Sequence, residues 1–416
     1  MIGQLSIAAA IIIIIIAILV WSSKKKSKKN VGRSSVDIVL GRLKIVIGFY
    51  QVTFGILEAF AYIEWPRSLA LIGTYSQALQ LNVFQIAPVH CLFPELKIDA
   101  FGDLFSILTL NASVIILSIC VYGIRKLYLR LRSTLDDQQK ALKMSQTKEF
   151  IYRNVFFILY VTYLSTCLKT AAVLPLACRT LCSDDEKDDC TSYLKAAFGI
   201  NCNSSRYNRL VIVGYVAVGY VLFLPAASFL TLFLSRRRAL QTTRNHDEGA
   251  GESCEDDNEA KRAELLTGLR FLFENYRPSA WYWELVDTVR KVILTSGLIL
   301  IGSESRSYAG IASIMSGIYG IGFAVKKPVV DPFENRLMLT SLTVTFINLG
   351  IGAVSKIPSE NIPSSVDHSV DNIMFELLVV GANASVILLL IGKCLFIQFS
   401  LEREGGETDL ESARDI

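Results

Sequence analysis

The chain has few residues of the kinds that build soluble active sites. Charged residues make up 19% of its 416 positions, whereas soluble domains have about 25%. Only three histidines occur, His90, His246 and His368, and none lies in a metal-ligand pattern. There is also no glycine-rich phosphate loop, no defensible Ser-His-Asp set and no span with regularly spaced arginines. We therefore expect no enzyme, no cofactor, no metal, no voltage sensor and no nucleic-acid partner.

Hydrophobic residues, by contrast, make up 52% of the chain and gather into long runs. A helix needs about 20 apolar residues to cross about 30 Å of hydrocarbon, and its backbone groups must bond within the segment. Nine runs are near that length: 5–21, 43–63, 104–124, 155–176, 210–234, 285–302, 307–325, 337–354 and 373–397. The sequence predicts an all-α fold, a polytopic transmembrane bundle of about nine spans.

Lysine and arginine are distributed unevenly between the predicted loops. With the N-terminus outside, the inner segments hold 29 of these residues and the outer segments hold 9. Because positively charged loops stay on the cytosolic side, this distribution predicts an outside N-terminus and a cytosolic C-terminus. The bilayer would be the plasma membrane or an endomembrane of the eukaryotic secretory pathway.

The runs and loops divide the chain into five parts. These are 1–34, 35–240, 241–262, 263–400 and 401–416. The first is a signal-anchor helix with a basic juxtamembrane segment, because its lysine cluster follows the apolar run instead of preceding it. The lysines would set topology, bind anionic inner-leaflet lipid, or do both. The second and fourth parts form the two halves of the bundle. The two acidic parts lack apolar periodicity, and we expect them to be disordered.

Five of the nine cysteines fall on the predicted outer face. They are Cys91, Cys178, Cys182, Cys190 and Cys202, and the last four crowd the outer loop 176–209. This clustering is typical of disulfides formed in the secretory pathway. The number is odd, so at least one cysteine is unpaired or bonds between chains, and the connectivity stays open.

The same loop carries two further features. Asn203 begins the sequon Asn203-Ser204-Ser205 and is a candidate glycosylation site, whereas the sequons at Asn111 and Asn383 lie within spans. An acidic run, Asp184–Asp189, would either be a solvated loop or concentrate cations at a pore mouth.

Ionisable residues inside three of the predicted spans are candidates for function. Glu58 and Lys169 lie in the outer halves of two spans, where they would pair with each other. Such a pair would mark an ion or proton pathway, or simply stabilise the bundle. Asp287, Arg290 and Lys291 lie in the first turns of the span 285–302, and Asp287 and Lys291 share one helix face. This face would form a gate, a lipid-headgroup site or a packing lock.

An aromatic segment leads directly into that span from the inner side. Residues 261–276 would form a short interfacial helix that turns at Pro278, since proline interrupts a helix. Trp281, Tyr282 and Trp283 would form the aromatic belt of the interface. A tight inner turn at 326–332 joins the next two spans, with Asp331 as a candidate cap.

These motifs resemble the C-terminal multi-pass domain of large extracellular-repeat proteins of protists and invertebrates, which is grouped with TRP-like proteins. The aromatic motif carries the resemblance through Glu274, Asn275, Tyr276, Arg277, Pro278, Trp281, Tyr282, Trp283 and Glu284, followed by Arg290 and Lys291. The inner turn adds Pro328, Asp331, Pro332 and Asn335, and weaker matches lie at 81–91 and 193–202. The resemblance covers about 36–398 and implies a TRP-like membrane protein.

The leading hypothesis is a TRP-like cation channel or a channel-related subunit that assembles as a homo-oligomer in the bilayer and contacts inorganic cations. The alternatives are a non-conducting receptor, a transporter-like bundle and a scaffold subunit. A pore would be lined by a polar stripe on the span 337–354, made of Ser341, Thr343, Thr345 and Asn348, although such residues also serve helix packing. The segment 68–88 would lie at the interface or re-enter the membrane.

Overall fold

A computed structural model describes seven stretches of the chain: 35–76, 99–131, 136–182, 190–247, 275–301, 306–355 and 376–389. Several predictions fall outside these described residues. They are the anchor 1–34, most of the re-entrant candidate 68–88, Cys91, the acidic run 184–189, the acidic parts beyond residue 247, Glu274 and the interfacial helix up to that residue.

The described residues are mostly helical. The principal helices are α1 (Ser35–Ala59), α2 (Arg67–Ser76), α3 (Ala100–Leu131), α4 (Asp137–Val173), α5 (Ser205–Asp247), α6 (Trp283–Val292), α7 (Arg306–Lys326), α8 (Pro332–Val354) and α9 (Glu376–Leu389). After α6 the chain continues through a π-helical turn, Ile293–Gly297, and a short α-turn, Leu298–Ile301. We call Ile293–Gly297 the π segment.

Six of these helices are long and apolar enough to cross a membrane, which indicates an integral membrane protein. They lie within α1, α3, α4, α5, α7 and α8, at six of the nine predicted runs. The run 285–302 instead forms most of α6, the π segment and the short α-turn, and its first turns carry three charged residues, Asp287, Arg290 and Lys291. The run 373–397 is described only over α9, and the run 5–21 is not described.

A small sheet departs from the predicted all-α fold. Strands β1 (Cys178–Cys182), β2 (Cys190–Leu194) and β3 (Ala197–Asn201) pair antiparallel in that order. Its apolar residues Leu194 and Ile200 pack on a cluster that includes Leu104 of α3 and Val173 of α4. The strands were missed because each has only five residues, too few for a clear alternating pattern.

Two disulfides hold this sheet, and they resolve the connectivity that the sequence left open. Cys182 and Cys190 join β1 to β2, and Cys178 bonds Cys202 just beyond β3. Cross-links of this kind stabilise a small sheet mainly by restricting the unfolded chain. Asn203 follows directly and is exposed.

Contacts at the two ends of the bundle give the direction of α1. At the end that bears the disulfides, which we call the cysteine end, Lys195 between β2 and β3 lies over the ring of Tyr62, just after α1. At the opposite end, Arg42 lies 3.5 Å from Asp331. α1 therefore starts at the opposite end and finishes at the cysteine end.

α1 occupies the centre of the bundle. Val52 and Ile56 are buried among Leu164 of α4, Leu294 of the π segment and Leu349 of α8. α1, α4 and α8 are mostly buried, whereas α3, α5 and α7 turn apolar faces outward. Outward faces of leucine and isoleucine are typical of helices that contact lipid.

Gly55 sets the spacing between α1 and the π segment. A Cβ atom at this position would overlap the Thr295 methyl group and lie 2.7 Å from Thr295 Cβ. Thr295 is fully buried and β-branched, so its side chain has little freedom to move away.

We predict that Gly55→Ala lowers the unfolding free energy by about 1–3 kcal/mol, because the added methyl group overpacks this contact. Thermal unfolding of the purified protein in detergent measures the change. Gly123→Ala on α3 is the matched control, since it makes the same change within a helix but meets nothing within 4 Å. Equal melting temperatures for the two variants would contradict the close contact.

Candidate functional site

Polar residues recur along one face of α1. Lys44, Gln51 and Glu58 are spaced by seven residues, and Gly48 and Gly55 lie between them on the same face. Over 14 residues a helix rises about 21 Å, so this face covers most of a membrane's hydrocarbon thickness. It packs against α4, α6 and the π segment. We call this interior line, from Lys44 to Glu58 and its contacts, the polar seam.

At the opposite end of the seam, Glu284 of α6 is surrounded by donors. Lys44 Nζ lies 2.8 Å from its Oε2 atom, and the Tyr276 hydroxyl donates to the same oxygen at 2.8 Å. The Tyr160 hydroxyl donates to Oε1 in a short hydrogen bond. Glu284 and Lys44 are each only 4% exposed. The carboxylate therefore exchanges its hydration for one cation and two phenols, which offsets the cost of burial.

Tyr276 lies outside the candidate spans. Burial, together with the charge of Glu284, raises the pKa of Tyr276 well above its ordinary value. Its phenol therefore stays protonated and remains a hydrogen-bond donor to Glu284.

One turn further along α6, Asp287 forms a second buried group. Lys291 Nζ lies 2.7 Å from Oδ2, which confirms the predicted pair at i and i+4, and Arg290 donates to Oδ1 at 3.0 Å. Arg290 also covers the ring of Tyr319 on α7, 4.9 Å from its centroid. Asp287 is 1% exposed. These side chains contact other helices of the protein. In this conformation their contacts therefore agree with the hypothesis of a packing lock, one of the three offered by the sequence.

Tyr160 connects the two groups. Its hydroxyl donates to Glu284 and lies 3.4 Å from Lys291 Nζ, which donates to it. No sequence pattern singles out this tyrosine, because it is one of several aromatic residues in the apolar run 155–176. Only the helix packing places it between the two charged residues.

A small cavity lies beside Tyr160, between α1, α4 and α6. Its volume is about 20 Å³, and it is lined by Gly48, Gln51, Tyr160, Tyr163, Leu164, Thr288 and Lys291. The lining is mostly apolar but includes polar groups of Gln51, Thr288 and Lys291, and a cavity of this size has room for one water molecule. A Cβ atom at Gly48 would lie 2.8 Å from Lys291 Nζ, so glycine leaves the space into which the ammonium extends.

At the cysteine end of the seam, Lys169 of α4 lies 3.6 Å from Glu58 and 3.6 Å from Asp103 of α3. The predicted pairing of Glu58 with Lys169 is confirmed, and Asp103 is an addition. Asp103 was not selected from the sequence, because this residue lies just before the apolar run of α3, at the boundary of the predicted span. An acidic residue one position before such a run is the signal that could have identified it.

The aromatic motif and the inner turn contact each other. Tyr276 pairs with Val329 in an isolated antiparallel bridge, flanked by hydrogen bonds from Arg277 N to the Pro328 carbonyl and from Val330 N to the Asn275 carbonyl. Asn275 and Tyr276 therefore do not end an interfacial helix, as the sequence suggested. Tyr276 thus pairs with the inner turn through its backbone and donates to Glu284 through its phenol.

The remaining motif residues anchor this junction to neighbouring helices. Trp281 stacks on Phe229 of α5, and Trp283 packs against Phe323 of α7. Pro278 begins a 3₁₀ turn, and Tyr282 immediately precedes α6. Asp331 Oδ1 accepts a hydrogen bond from Phe333 N at 2.9 Å, which confirms the predicted cap. Pro332 occupies the first turn of α8, and Asn335 N bonds to the Asp331 carbonyl.

The candidate pore stripe on α8 packs mainly inside the chain. Ser341, Thr345 and Asn348 are buried, whereas Thr343 is exposed. Asn348 exchanges amide hydrogen bonds with Asn383 of α9, at 3.2 and 3.3 Å. Reciprocal amide pairs of this kind join membrane helices. In this conformation the stripe serves helix packing, which the sequence offered as the alternative to a pore lining.

We predict that Asp287→Ala lowers the unfolding free energy by about 3–5 kcal/mol, because Lys291 and Arg290 would lose their shared buried partner. Thermal unfolding in detergent measures the loss. Adding Lys291→Met should restore part of it by removing one uncompensated cation. Glu149→Ala, at an exposed position of α4, is the control and should change stability by less than about 0.5 kcal/mol. A loss no larger than in this control would contradict the buried pairing.

No protein-family model, curated protein or solved structure matches the chain.

Proposed function

We propose that the chain is an integral membrane protein of the cation-channel class, or a channel-related subunit, whose ion pathway follows the polar seam. The observation that carries this proposal is the polar face of α1, which links two interior groups of charged residues. One group is centred on Glu284 and Asp287, and the other joins Glu58, Asp103 and Lys169. A polar face that joins ionisable residues at both depths would offer cations a route between the two ends of the bundle.

Energetic cost supports this interpretation. A charge in the interior of a membrane costs about 2.5–3.5 kcal/mol on insertion scales, and such residues mark ion and proton pathways by default. The seam brings together eight ionisable residues from α1, α3, α4 and α6: Lys44, Glu58, Asp103, Lys169, Glu284, Asp287, Arg290 and Lys291. Placing them all between the central helices favours conduction over a role at the protein surface.

The proposal extends to topology and assembly. We infer nine spans with the N-terminus outside and the C-terminus cytosolic, so that the cysteine end faces the lumen or the extracellular side. Two disulfides at this end fit an oxidising compartment. The TRP-like resemblance of the aromatic motif fits the same arrangement. A homo-oligomer in the plasma membrane or a secretory endomembrane is part of this proposal.

A second candidate is a non-conducting receptor or scaffold. The observation that favours it is the mutual pairing of the seam charges, since Glu284 and Asp287 each contact at least one cation. The cavity of about 20 Å³ would also hold little more than one water molecule in this conformation. Conduction would therefore require a second conformation in which these pairs separate.

Ion flux tests the proposed function. We predict that purified protein in liposomes carries Na⁺, K⁺ or Ca²⁺, and that Glu58→Gln reduces the flux several-fold. The substitution leaves Lys169 with Asp103 alone, so the cysteine-end group becomes more positive and repels cations. Glu149→Gln makes the same chemical change at an exposed position of α4 and should carry the wild-type flux.

These measurements use ion-sensitive dyes and planar-bilayer recording across several voltages. Absence of flux for every cation would contradict the channel proposal and favour the receptor or scaffold.

Glycosylation tests the orientation. We predict that the protein expressed in eukaryotic cells carries one glycan at Asn203, which is exposed beside the disulfides at the cysteine end. Endoglycosidase treatment should increase its gel mobility, and Asn203→Gln should have the same effect. Asn383→Gln is the control and should not change mobility, because Asn383 is buried against Asn348. The opposite orientation would follow from two results together: Asn203 carries no glycan, and after reduction the cysteines of the sheet react with a thiol reagent added from the cytosolic side.

A further inference from the structure

We propose that the cavity beside Lys291 is a proton-binding site, and that Tyr160 relays protons between Lys291 and Glu284. This inference rests on the proposed function and names the proton as an ion that the opposite end of the polar seam handles. Its basis is the continuous series of donors and acceptors from the cavity wall to Glu284, built from α4 and α6.

The order of hydrogen bonds defines the relay. Lys291 Nζ donates to the Tyr160 oxygen at 3.4 Å, and the Tyr160 hydroxyl donates to Glu284 Oε1. The phenol therefore accepts on one side and donates on the other, which is the arrangement that a proton relay requires. Both bonds point in the same direction along the seam.

The cavity is the position from which a proton would enter the relay. Lys291 lines it and is 8% exposed. Its ammonium has three N–H bonds, of which one faces Asp287 and one faces Tyr160. The third is available to a water molecule in the cavity. Gly48 keeps this space open, since a Cβ atom there would lie 2.8 Å from Nζ.

One cycle conserves every proton. The O–H bond of Tyr160 breaks as an O–H bond forms at Glu284 Oε1, and an N–H bond of Lys291 breaks as the phenol regains its proton. Lys291 is then a neutral amine and Glu284 a neutral acid, so no net charge has moved out of the site. A protonated water in the cavity recharges Lys291. Glu284 then releases its proton to a water molecule at the opposite end, and the Tyr160 hydroxyl turns back from Lys291 to Glu284. One proton has then crossed the relay, and every group has returned to its starting form.

Burial opposes the charge of Glu284, but Lys44 and Lys291 outweigh it and lower the pKa of that carboxyl, so the neutral form of Glu284 is short-lived. The groups facing the relay are Lys44 from α1, Tyr160 from α4, Tyr276 from the bridge, Asp287 and Arg290 from α6, and Tyr319 from α7. When Glu284 is protonated, Lys44 retains cation–π contacts, because its Nζ atom lies 5.8 Å from the ring centroid of Tyr160 and 5.5 Å from that of Tyr276. When Lys291 is neutral, Arg290 still pairs with Asp287.

Tyr160→Phe tests the relay with the smallest change, because it removes one oxygen and keeps the ring over which Lys44 and Lys291 lie. The full-length protein is reconstituted in liposomes containing a pH-sensitive dye, and proton uptake is driven by a K⁺ diffusion potential. We expect the initial rate to fall about tenfold or more. Tyr152→Phe, half-buried on the same helix and outside the relay, is the matched control and should retain the wild-type rate.

Parallel measurement of Na⁺, K⁺ and Ca²⁺ flux separates this inference from the proposed function. Metal-ion flux without proton uptake in the wild type would overturn the relay and leave the channel proposal intact. Wild-type proton uptake in Tyr160→Phe would also overturn the relay.

If no ion crosses the membrane, the channel proposal fails. Infrared difference spectroscopy between two pH values then tests whether the relay exists. The relay requires a pH-dependent carboxyl band that disappears in Glu284→Gln and shifts in Tyr160→Phe, since the acid loses its phenol partner. Absence of that band in the wild type, or an unchanged band in Tyr160→Phe, would overturn it. The spectrum does not depend on transport and also reports whether Tyr160→Phe retains native helix content.

Discussion

The buried carboxylate of Glu284 joins four separate parts of the chain. It accepts from Lys44 of α1, from Tyr160 of α4 and from Tyr276 of the bridge that precedes α6. Each donor is held in place by its own element, and each element would leave a polar group unsatisfied in the interior if it moved away. The cost of an unpartnered charge in a low-dielectric interior therefore fixes the opposite end of the bundle.

The close packing of α1 follows from the same constraint. Gly48 leaves room for the Lys291 ammonium, and Gly55 allows the π segment to approach. A larger residue at either position would separate α1 from α6 and lengthen the hydrogen bonds around Glu284. The two glycines thus serve both the electrostatic arrangement and the helix packing. Gly48 also lines the small cavity, which a side chain at that position would occupy.

Several features were readable from the sequence because they depend on local pattern. Six apolar runs correspond to helices long enough to span a membrane, and the Asp331 cap and the Asp287–Lys291 pair follow from spacing along one helix. The pairing of Glu58 with Lys169 was also predicted, from similar depth in two spans. The three-stranded sheet, the disulfide connectivity and Asp103 were not, because short strands and partners distant in sequence leave little periodic signal.

The sequence by itself determined that the chain forms apolar helices, where their polar residues lie and which residues share a helix face, because these properties follow from composition and the helical repeat. Only the tertiary structure decided which faces meet. It placed Tyr160 between Lys291 and Glu284, paired the aromatic motif with the inner turn and turned the α8 stripe toward Asn383. Contacts between helices depend on how all of them pack together, and the pattern within one helix does not specify that arrangement.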